Sequence, residues 1–296
     1  MDPRRARSPS RATALAAVLA VAAATPAPAW HTEGHRRVAE DAVGLLPQSV
    51  PHFFRAGAAR VGHAAVGPDV WKIDAVPALA DGEGPEHYLD VELLGGRAWP
   101  ERRSAVLGLY AELGLEARRA GLLPWAVIEG AERLATCFAE HRRWPRDPAI
   151  RSECLVYAGW LAHYGGDLAQ PLHTTIHHDG RALANGESPR AGVHRRIDAL
   201  FETVPFERRA ALAGAKVAPV SDLWAHLRAE FGASHRLVDR TYALLPALDG
   251  ARGVADPRVV EFTAERYRAT ARFLAELFLW AWERSGAIEL PSWLTR

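Results

Sequence analysis

One stretch of this chain, residues 163–173, reads His163-Tyr-Gly-Gly-Asp167-Leu-Ala-Gln-Pro171-Leu-His173. His163 and Asp167 are four residues apart, so on a helix their side chains lie on the same face. Pro171 cannot continue that helix, and His173 follows just past the break, where the chain can turn back. The stretch therefore predicts three metal-binding side chains around one helix end.

A second pair with the same spacing follows at His194 and Asp198. The alternative interpretation of either pair alone is a surface helix pair worth roughly 0.3 kcal/mol. Two such pairs plus His173 within a few dozen residues favour a metal site instead. Imidazole and carboxylate ligands without thiolates suit a catalytic divalent metal ion such as zinc.

Residues 1–29 have the pattern of a secretory signal peptide. Four arginines precede an apolar run from Ala14 to Ala24, and small residues follow at Ala27-Pro28-Ala29. The apolar run is short for a membrane span. We therefore expect cleavage after Ala29, a secreted or periplasmic protein without a transmembrane segment, and a mature domain over residues 30–296 that begins at Trp30.

Composition limits the possible functions. The whole chain has a formal net charge of +1, and residues 1–29 hold four arginines and one aspartate, so the remainder carries −2. A general nucleic-acid-binding protein would carry a basic face instead. The length suits one sizeable domain, or at most two. The two cysteines, Cys137 and Cys154, allow either one disulfide or two buried thiols.

Hydrophobic spacing predicts an all-α protein, a single multi-helix domain with its metal cluster in a cleft between helices and long loops. The predicted helices are Thr32–Leu46 with Thr32 as N-cap, Val50–Ala59, 101–120, 123–142, 149–168, 191–202, 206–213, 219–248 and 256–286. Residues 62–100, rich in Gly, Pro and Asp, predict a long loop region. Residues 177–192 predict another loop, which would form one lip of the cleft.

Five separated motifs, in this order along the chain, resemble those of the secreted trinuclear-zinc phosphodiesterases. They are Trp30 with His35, Pro68-Asp69-Val-Trp-Lys72, Glu86-His87-Tyr88-Leu-Asp90, the stretch 163–173, and His194 with Asp198. That family includes the single-strand-specific type I nucleases of fungi and plants and, more distantly, the bacterial zinc-dependent phospholipases C. The resemblance runs from Trp30 to about Phe201 and implies the all-α fold of these enzymes.

The resemblance implies three zinc ions. The first would be held by Asp69, His87, His163 and Asp167, and the second by His173, His194 and Asp198. The third would be held by the amine and carbonyl of Trp30, by His35, and by Asp167, whose two oxygens can join two ions. A zinc-bridged hydroxide would then be the nucleophile that attacks a phosphate ester.

Three further residues match non-ligand positions of the family. Lys72 would stabilise the transition state at a phosphate oxygen. Asp90 would orient or deprotonate the attacking water, and the alternative for Asp90 is a carboxylate that holds a ligand histidine. Tyr88 falls where nucleases of the family place an aromatic ring that stacks on a base.

The substrate branch is predicted from two further features. Only four residues separate Trp30 from His35, and an aspartate stands at position 198. In the resembling phospholipases more residues separate the N-terminal residue from the first ligand histidine, and a glutamate takes the position of Asp198. We therefore expect a single-strand nuclease or 3′-nucleotidase acting on single-stranded nucleic acid or nucleotides, with no stable protein partner. The alternatives are a zinc-dependent phospholipase C or other phosphodiesterase, with a phospholipid as substrate, and a non-catalytic protein that zinc stabilises. The stretch Asp179–Arg190 departs from the family's pattern.

Overall fold

The computed structural model describes residues 30–295, which form an all-α domain. Its α-helices are α1 (Thr32–Gly44), α2 (His52–Arg55), α3 (Ala58–Ala64), α4 (Gly67–Trp71), α5 (Pro77–Glu83), α6 (Arg103–Leu113), α7 (Ala117–Ala120), α8 (Leu123–Arg143), α9 (Pro148–Leu168), α10 (Val193–Asp198), α11 (Leu200–Thr203), α12 (Arg208–Leu212), α13 (Leu223–His235), α14 (Val238–Ala243), α15 (Leu245–Asp249) and α16 (Pro257–Arg284). Short 3-10 helices cover Gly84–His87, Val91–Leu94, Pro171–Thr174, Gly253–Ala255 and Ser285–Ala287.

The prediction of an all-α fold is confirmed. Among the described residues the only β-pairing is an isolated bridge between Leu89 and Gly121. None of the helices between residues 30 and 295 is long and apolar enough to cross a membrane. The predicted signal peptide, residues 1–29, lies outside the described part of the chain.

Helices α8 and α9 form the centre of the domain, and α1, α3 and α16 pack around them. Helix α9 begins where the Asp147 carboxylate accepts from the backbone N–H of Ala149 at 2.8 Å, and Pro148 fills the first helical position. The rings of Phe54, Phe138 and Phe278 are fully buried against one another, and they join α2, α8 and α16. Burial of each ring stabilises the fold by roughly 2 kcal/mol.

Two glycines of the stretch 163–173 allow neighbouring helices to approach α9 closely. A Cβ atom on Gly165 would lie 2.6 Å from a methyl carbon of Leu274 in α16. A Cβ atom on Gly166 would lie 3.1 Å from Nδ1 of His35 in α1. The end of α9 is therefore packed between α1 and α16, and this packing brings His35 to the same place as His163 and Asp167.

The N-terminus of helix α1 is capped differently from the prediction. Its N-cap residue is His31 rather than Thr32, and no side chain of the cap residue accepts a hydrogen bond. Instead Glu202 of α11 accepts from the backbone N–H groups of Glu33 at 2.6 Å and Gly34 at 3.2 Å. The cap is supplied from a distant part of the chain, which local sequence signals do not reveal.

The predicted loop region 62–100 is wrong, because it contains α4, α5 and two 3-10 helices. Pro68 and Pro77 lie in the first turns of α4 and α5, where the missing N–H has no helical partner to lose. These prolines therefore start helices instead of marking a loop. The loop predicted for residues 177–192 is confirmed, since no helix forms there.

Several predicted helices are divided. Residues 101–120 form α6 and α7, because Gly114 ends α6 in the left-handed conformation at φ 66°. Residues 219–248 form α13, α14 and α15, and Pro246 lies in the first turn of the last of these. The predicted helix Val50–Ala59 is split into α2 and α3 around Gly57.

Cys137 and Cys154 form a disulfide between α8 and α9 with a Cα–Cα distance of 5.6 Å. Of the two alternatives, one disulfide or two buried thiols, the structure therefore has the disulfide. The bond encloses a loop with a sequence separation of 17 residues. Closing a loop of that length removes unfolded-state entropy worth about 3 kcal/mol.

Replacing both cysteines in a Cys137→Ala, Cys154→Ala variant should lower the free energy of unfolding by about 3 kcal/mol. Guanidinium denaturation of the parent and the variant measures this difference. As a control, a reducing agent should destabilise the parent and leave the variant unchanged. Equal stability of the two oxidised proteins would contradict the prediction.

Candidate metal centre

The end of α9 carries His163 and Asp167, both fully buried on the same face, as the spacing predicts. The chain then turns at Pro171 into a 3-10 helix, which contains His173. The backbone N–H of Leu89 donates to the carbonyl of His173 at 2.9 Å, so the turn is attached to the segment that follows His87. Two of the predicted motifs are thereby brought side by side.

Three groups of histidine and aspartate side chains have their ligand atoms close enough to hold a metal ion. The groups are His35 with His163 and Asp167; Asp69 with His87 and His163; and His173 with His194 and Asp198. All eight of these side chains come from the five motifs. Within each group the ligand atoms lie within 4.8 Å of one another.

Asp167 connects the first two groups. Its Oδ1 lies 3.2 Å from Nε2 of His35. Its Oδ2 lies 3.0 Å from Nδ1 of His87 and 3.5 Å from Nε2 of His163. The two oxygens of one carboxylate therefore face different histidines, which is the arrangement that a bridging ligand requires.

The orientation of His173 and His194 indicates a shared cation. The Nδ1 atom of His173 donates to the carbonyl of His87, and Nδ1 of His194 lies 3.3 Å from the carbonyl of His178. A neutral imidazole that donates through Nδ1 has only a lone pair on Nε2. The Nε2 atoms of His173 and His194 nevertheless face each other at 3.0 Å. The Oδ2 atom of Asp198 lies 3.2 Å from Nε2 of His194. Lone pairs that converge in this way need a cation between them.

His163 and His87 show the same pattern. Nδ1 of His163 donates to the carbonyl of Ala65 at 2.7 Å, so its Nε2 presents a lone pair to Nδ1 of His87 at 3.1 Å. On the outer side of His87, Nε2 lies 3.3 Å from a carboxylate oxygen of Glu83. Tyr164 donates to the same oxygen at 2.6 Å. Glu83 thus lies beside the nitrogen of His87 that faces away from the ligand group, at ion-pair distance and without a hydrogen bond.

Burial keeps the imidazoles in the form that binds a metal ion. Removal from water lowers the pKa of His35 to about 4 and that of His194 to about 3. The same cause raises the pKa values of Asp167 and Asp198 well above the usual range for a carboxyl. Neutral imidazoles are ligands, whereas a buried carboxylate needs a nearby cation to stay ionised.

Several buried atoms in these groups lack hydrogen-bond partners. Within residues 30–295 they include both ring nitrogens of His35, Oδ1 of Asp167 and Oδ2 of Asp198. A buried polar atom without a partner destabilises the fold by about 1–3 kcal/mol. Divalent ions in these groups would satisfy one nitrogen of His35 and the two carboxylate oxygens, so the residues fit the metal that the donor set implies.

Gln170 contacts a candidate ligand, and the sequence did not single it out. It is fully buried, and its amide nitrogen donates to Asp198 Oδ1 at 2.5 Å, while its amide oxygen accepts from the backbone N–H of Leu172. Gln170 therefore leaves Asp198 Oδ2 free to face His194. Glu83 was also missed, although its spacing of four residues from His87 was a readable signal.

Trp30 is fixed beside the cluster. Its indole is fully buried, stacks on Phe201 with ring centroids 3.6 Å apart, and donates to the carbonyl of Gly166 at 2.9 Å. The next backbone N–H, that of His31, donates to the carbonyl of Asp198 at 3.1 Å. The first described residue is thus held against α9 and α10, adjacent to two of the candidate ligands.

The cluster opens into a cleft of about 950 Å³, whose wall includes His87, His173 and His194. Lys72 lines it and is nearly buried, with Nζ 2.7 Å from Asp69 Oδ1 and 3.4 Å from Nδ1 of His87. Tyr88 also lines the cleft, and its hydroxyl donates to the carbonyl of Arg118. Lysine and tyrosine therefore stand beside the candidate ligands.

Asp90 is buried in the wall of the same cleft. Burial, reinforced by the charge of Glu92, raises its pKa to about 7. The nearest histidine nitrogen is Nδ1 of His178, at 4.0 Å. The carboxylate that supports a candidate ligand is Glu83, and Asp90 does not hold one.

Neither a scan against models of protein families nor a search of curated proteins gave a match to this chain.

The buried histidines should make the metal-free protein sensitive to acid. In the unfolded chain an imidazole binds its proton near pH 6.5, whereas the folded-state pKa of His35 is about 4. Between these values the unfolded chain binds a proton at this imidazole that the folded protein does not, so the contribution of His35 to the free energy of unfolding should decrease as the pH falls from 6.5 to 4. For His35 alone this pKa difference corresponds to about 3 kcal/mol.

Denaturation of chelator-treated protein at several pH values measures this effect. A His35→Gln variant should show a shallower decrease over the same range, since one of the responsible imidazoles is gone. Parallel pH profiles for the parent and the variant would contradict the assignment to His35.

Proposed function

We propose that the protein is a secreted zinc-dependent phosphodiesterase, most specifically a single-strand nuclease or 3′-nucleotidase. The observation that carries the proposal is the meeting of all five motifs in one cluster beside a cleft that four of them line, with the two oxygens of Asp167 turned to different histidines. Carboxylates that join two ligand groups are typical of metal-assisted hydrolysis of phosphate esters. The motif order of the resembling nucleases supplies the substrate class.

Three zinc ions would occupy the site. Asp69, His87, His163 and Asp167 would hold one ion, and His173, His194 and Asp198 another. The third would bind His35, Asp167 and the amine and carbonyl of Trp30 once the signal peptide is removed. When bound, the zinc ions would supply positive charge for phosphate oxygens and activate water as a nucleophile at neutral pH.

The other residues of the cleft then have distinct roles. The Lys72 ammonium would neutralise a phosphate oxygen as negative charge accumulates in the transition state. Asp90, with a pKa near neutrality, would accept a proton on its carboxylate from the attacking water. The ring of Tyr88 would stack on a base next to the phosphate, a contact worth about 1–3 kcal/mol that tolerates any sequence.

One observation favours phospholipase C as the second candidate. Four aliphatic side chains are exposed on and between α4 and α5, beside the residues that line the cleft: Val70 by 53%, Ile73 by 47%, Val76 by 40% and Leu79 by 47%. They recur at every third position. An apolar strip at the mouth of a phosphate-cleaving site would suit contact with a lipid surface.

The third candidate, a non-catalytic protein stabilised by zinc, accounts for less of the site. A structural metal centre is normally closed by protein ligands, whereas this cluster borders an open cleft. A structural metal centre also needs no additional positive charge beside its ligands. In this cluster, however, Nζ of Lys72 lies 2.7 Å from Oδ1 of the candidate ligand Asp69.

The purified mature protein should contain close to three zinc ions per chain. An Asp167→Asn variant should lose two of them together, because that carboxylate would bind two ions and an amide is a weak ligand. Elemental analysis after dialysis measures the metal content. Asp147→Asn, at the other end of α9, is the matched control and should keep all three ions, since asparagine also caps a helix. One ion or none in the parent would contradict the proposal.

Substrates should separate the candidate functions. We expect the zinc-loaded protein to hydrolyse single-stranded DNA or RNA faster than short-chain phosphatidylcholine, with a nucleoside 3′-monophosphate as a third test compound. Tyr88→Ala should lower kcat/KM for nucleic acid about tenfold because the stacked base loses its partner ring, and Tyr88→Phe should retain most of it. Lys72→Ala should slow all substrates about a hundredfold, because it would act on the shared phosphoryl transition state.

Initial rates on the three compounds decide between the candidates. Cleavage of lipid with no cleavage of nucleic acid would favour phospholipase C and leave the zinc chemistry intact. No cleavage by zinc-loaded, correctly processed protein would favour the non-catalytic alternative.

A further inference from the structure

The loop after His173 forms one wall of the cleft, and it contains the stretch Asp179–Arg190, which departs from the pattern of the resembling family. His178, Asp179, Arg190 and Gly192 all line the cleft, as does Arg195 at the start of α10. This wall therefore brings two arginines close in sequence to the candidate ligand His194.

Asp179 closes the loop at its base. Its backbone carbonyl accepts from the N–H of Ala191 at 2.9 Å and from the hydroxyl of Ser188 at 3.1 Å. Its carboxylate accepts from the backbone N–H of His194 at 3.0 Å. The same Ser188 hydroxyl accepts from the N–H of Arg190 at 3.2 Å. These bonds fix Arg190 and the start of α10 relative to each other.

The loop is also held from outside. Tyr242 accepts from the N–H of Gly180 at 2.9 Å and donates to the carbonyl of His177 at 2.6 Å. Arg119 donates through Nη2 to the carbonyl of Gly186 at 2.5 Å. Hydrogen bonds therefore hold the loop near both of its ends and at Gly186 in its middle.

Arg190 adopts an unfavourable backbone conformation. Its φ is 53°, and within residues 30–295 it is the one residue other than glycine with a positive φ. A non-glycine residue in the left-handed region destabilises the fold by about 1 kcal/mol. Glycine would fit this position without that penalty, so the arginine side chain has a use that the backbone does not explain.

The two arginines of this wall differ from their neighbours in having no carboxylate partner. Arg181 in the same loop is paired with Asp239 at 2.6 Å, and Arg196 in α10 with Asp249 at 2.7 Å. For Arg190 and Arg195, no carboxylate of the described chain lies within ion-pair distance. Both are exposed and line the cleft. Two arginines without a carboxylate partner therefore line the cleft into which a substrate would extend.

We propose that Arg190 and Arg195 bind a second phosphate group of the substrate, one nucleotide away from the phosphate that is cleaved. The proposal rests on the proposed phosphodiesterase function and specifies its substrate as a strand with several phosphates. Guanidinium groups bind phosphate oxygens through paired, charge-assisted hydrogen bonds. A zwitterionic lipid or a substrate with one phosphate has no group for this position.

The test compares a twelve-nucleotide oligothymidylate with the dinucleotide TpT, which has one phosphodiester and no flanking phosphate. The ratio of kcat/KM for the oligomer to kcat/KM for TpT should fall about tenfold in Arg190→Gly and in Arg195→Ala. The dependence of log kcat/KM on log salt concentration for the oligomer should become shallower by about 0.7, because each variant would neutralise one phosphate fewer on a single strand.

Two controls separate binding from structure. Arg196→Ala, one residue along α10 but paired outside the cleft, should leave the oligomer to TpT ratio as in the parent. Arg190→Gly should melt at the parent's temperature or above it, because glycine relieves the strained φ; a lower melting temperature would mean that the arginine is structural and would overturn the proposal. Arg195→Lys should recover part of the ratio, since it restores the charge without the planar group.

The outcomes are distinguishable. A parent that cleaves both compounds, with an unchanged ratio in Arg190→Gly and Arg195→Ala, would overturn this inference and leave the phosphodiesterase function standing. A zinc-loaded parent that cleaves neither compound would overturn the proposed function, and this inference with it.

Discussion

Three imidazoles of the ligand groups have their Nδ1 atoms turned to backbone carbonyls, and the rest of the site depends on this constraint. His163 and His173 donate to the carbonyls of Ala65 and His87, and Nδ1 of His194 faces the carbonyl of His178. Each of these rings is left with a lone pair on Nε2, which points toward another candidate ligand. Without a cation such an interior would be strongly unfavourable, because unsatisfied polar atoms would face one another out of water. The arrangement is therefore the one that a metal ion would satisfy.

The same constraint links the fold to the cofactor. The carbonyls that orient the rings belong to Ala65 at the end of α3 and to the 3-10 helix ending at His87, so the ligand geometry depends on how these segments pack against α9. A bound metal ion would therefore stabilise the packing of segments far apart in the sequence. The disulfide acts at the other end of the same helix pair, away from the candidate ligands. The disulfide and a bound metal ion would thus secure α9 at separate points.

The sequence was most informative where local spacing determines geometry. Spacings of four residues placed His163 with Asp167 and His194 with Asp198, and proline placed the turn before His173. Sequence reasoning was wrong where distant residues decide the local structure, as at the start of α1, which Glu202 caps from α11. The prediction for residues 62–100 was also wrong, because it took a high content of Gly, Pro and Asp to mean a loop, whereas two of the prolines begin short helices. Gln170 could not be found from sequence, because its role requires α10 to lie beside it.

Charge distribution reconciles the composition with a polyanionic substrate. A domain with net charge −2 would repel a nucleic-acid strand at long range, so attraction must come from local groups. The lining of the cleft includes five basic residues and four aspartates: Lys72, Arg118, Arg119, Arg190 and Arg195, with Asp74, Asp81, Asp90 and Asp179. Divalent ions would add more positive charge there, and Asp90, with a pKa of about 7, would add little negative charge below neutral pH.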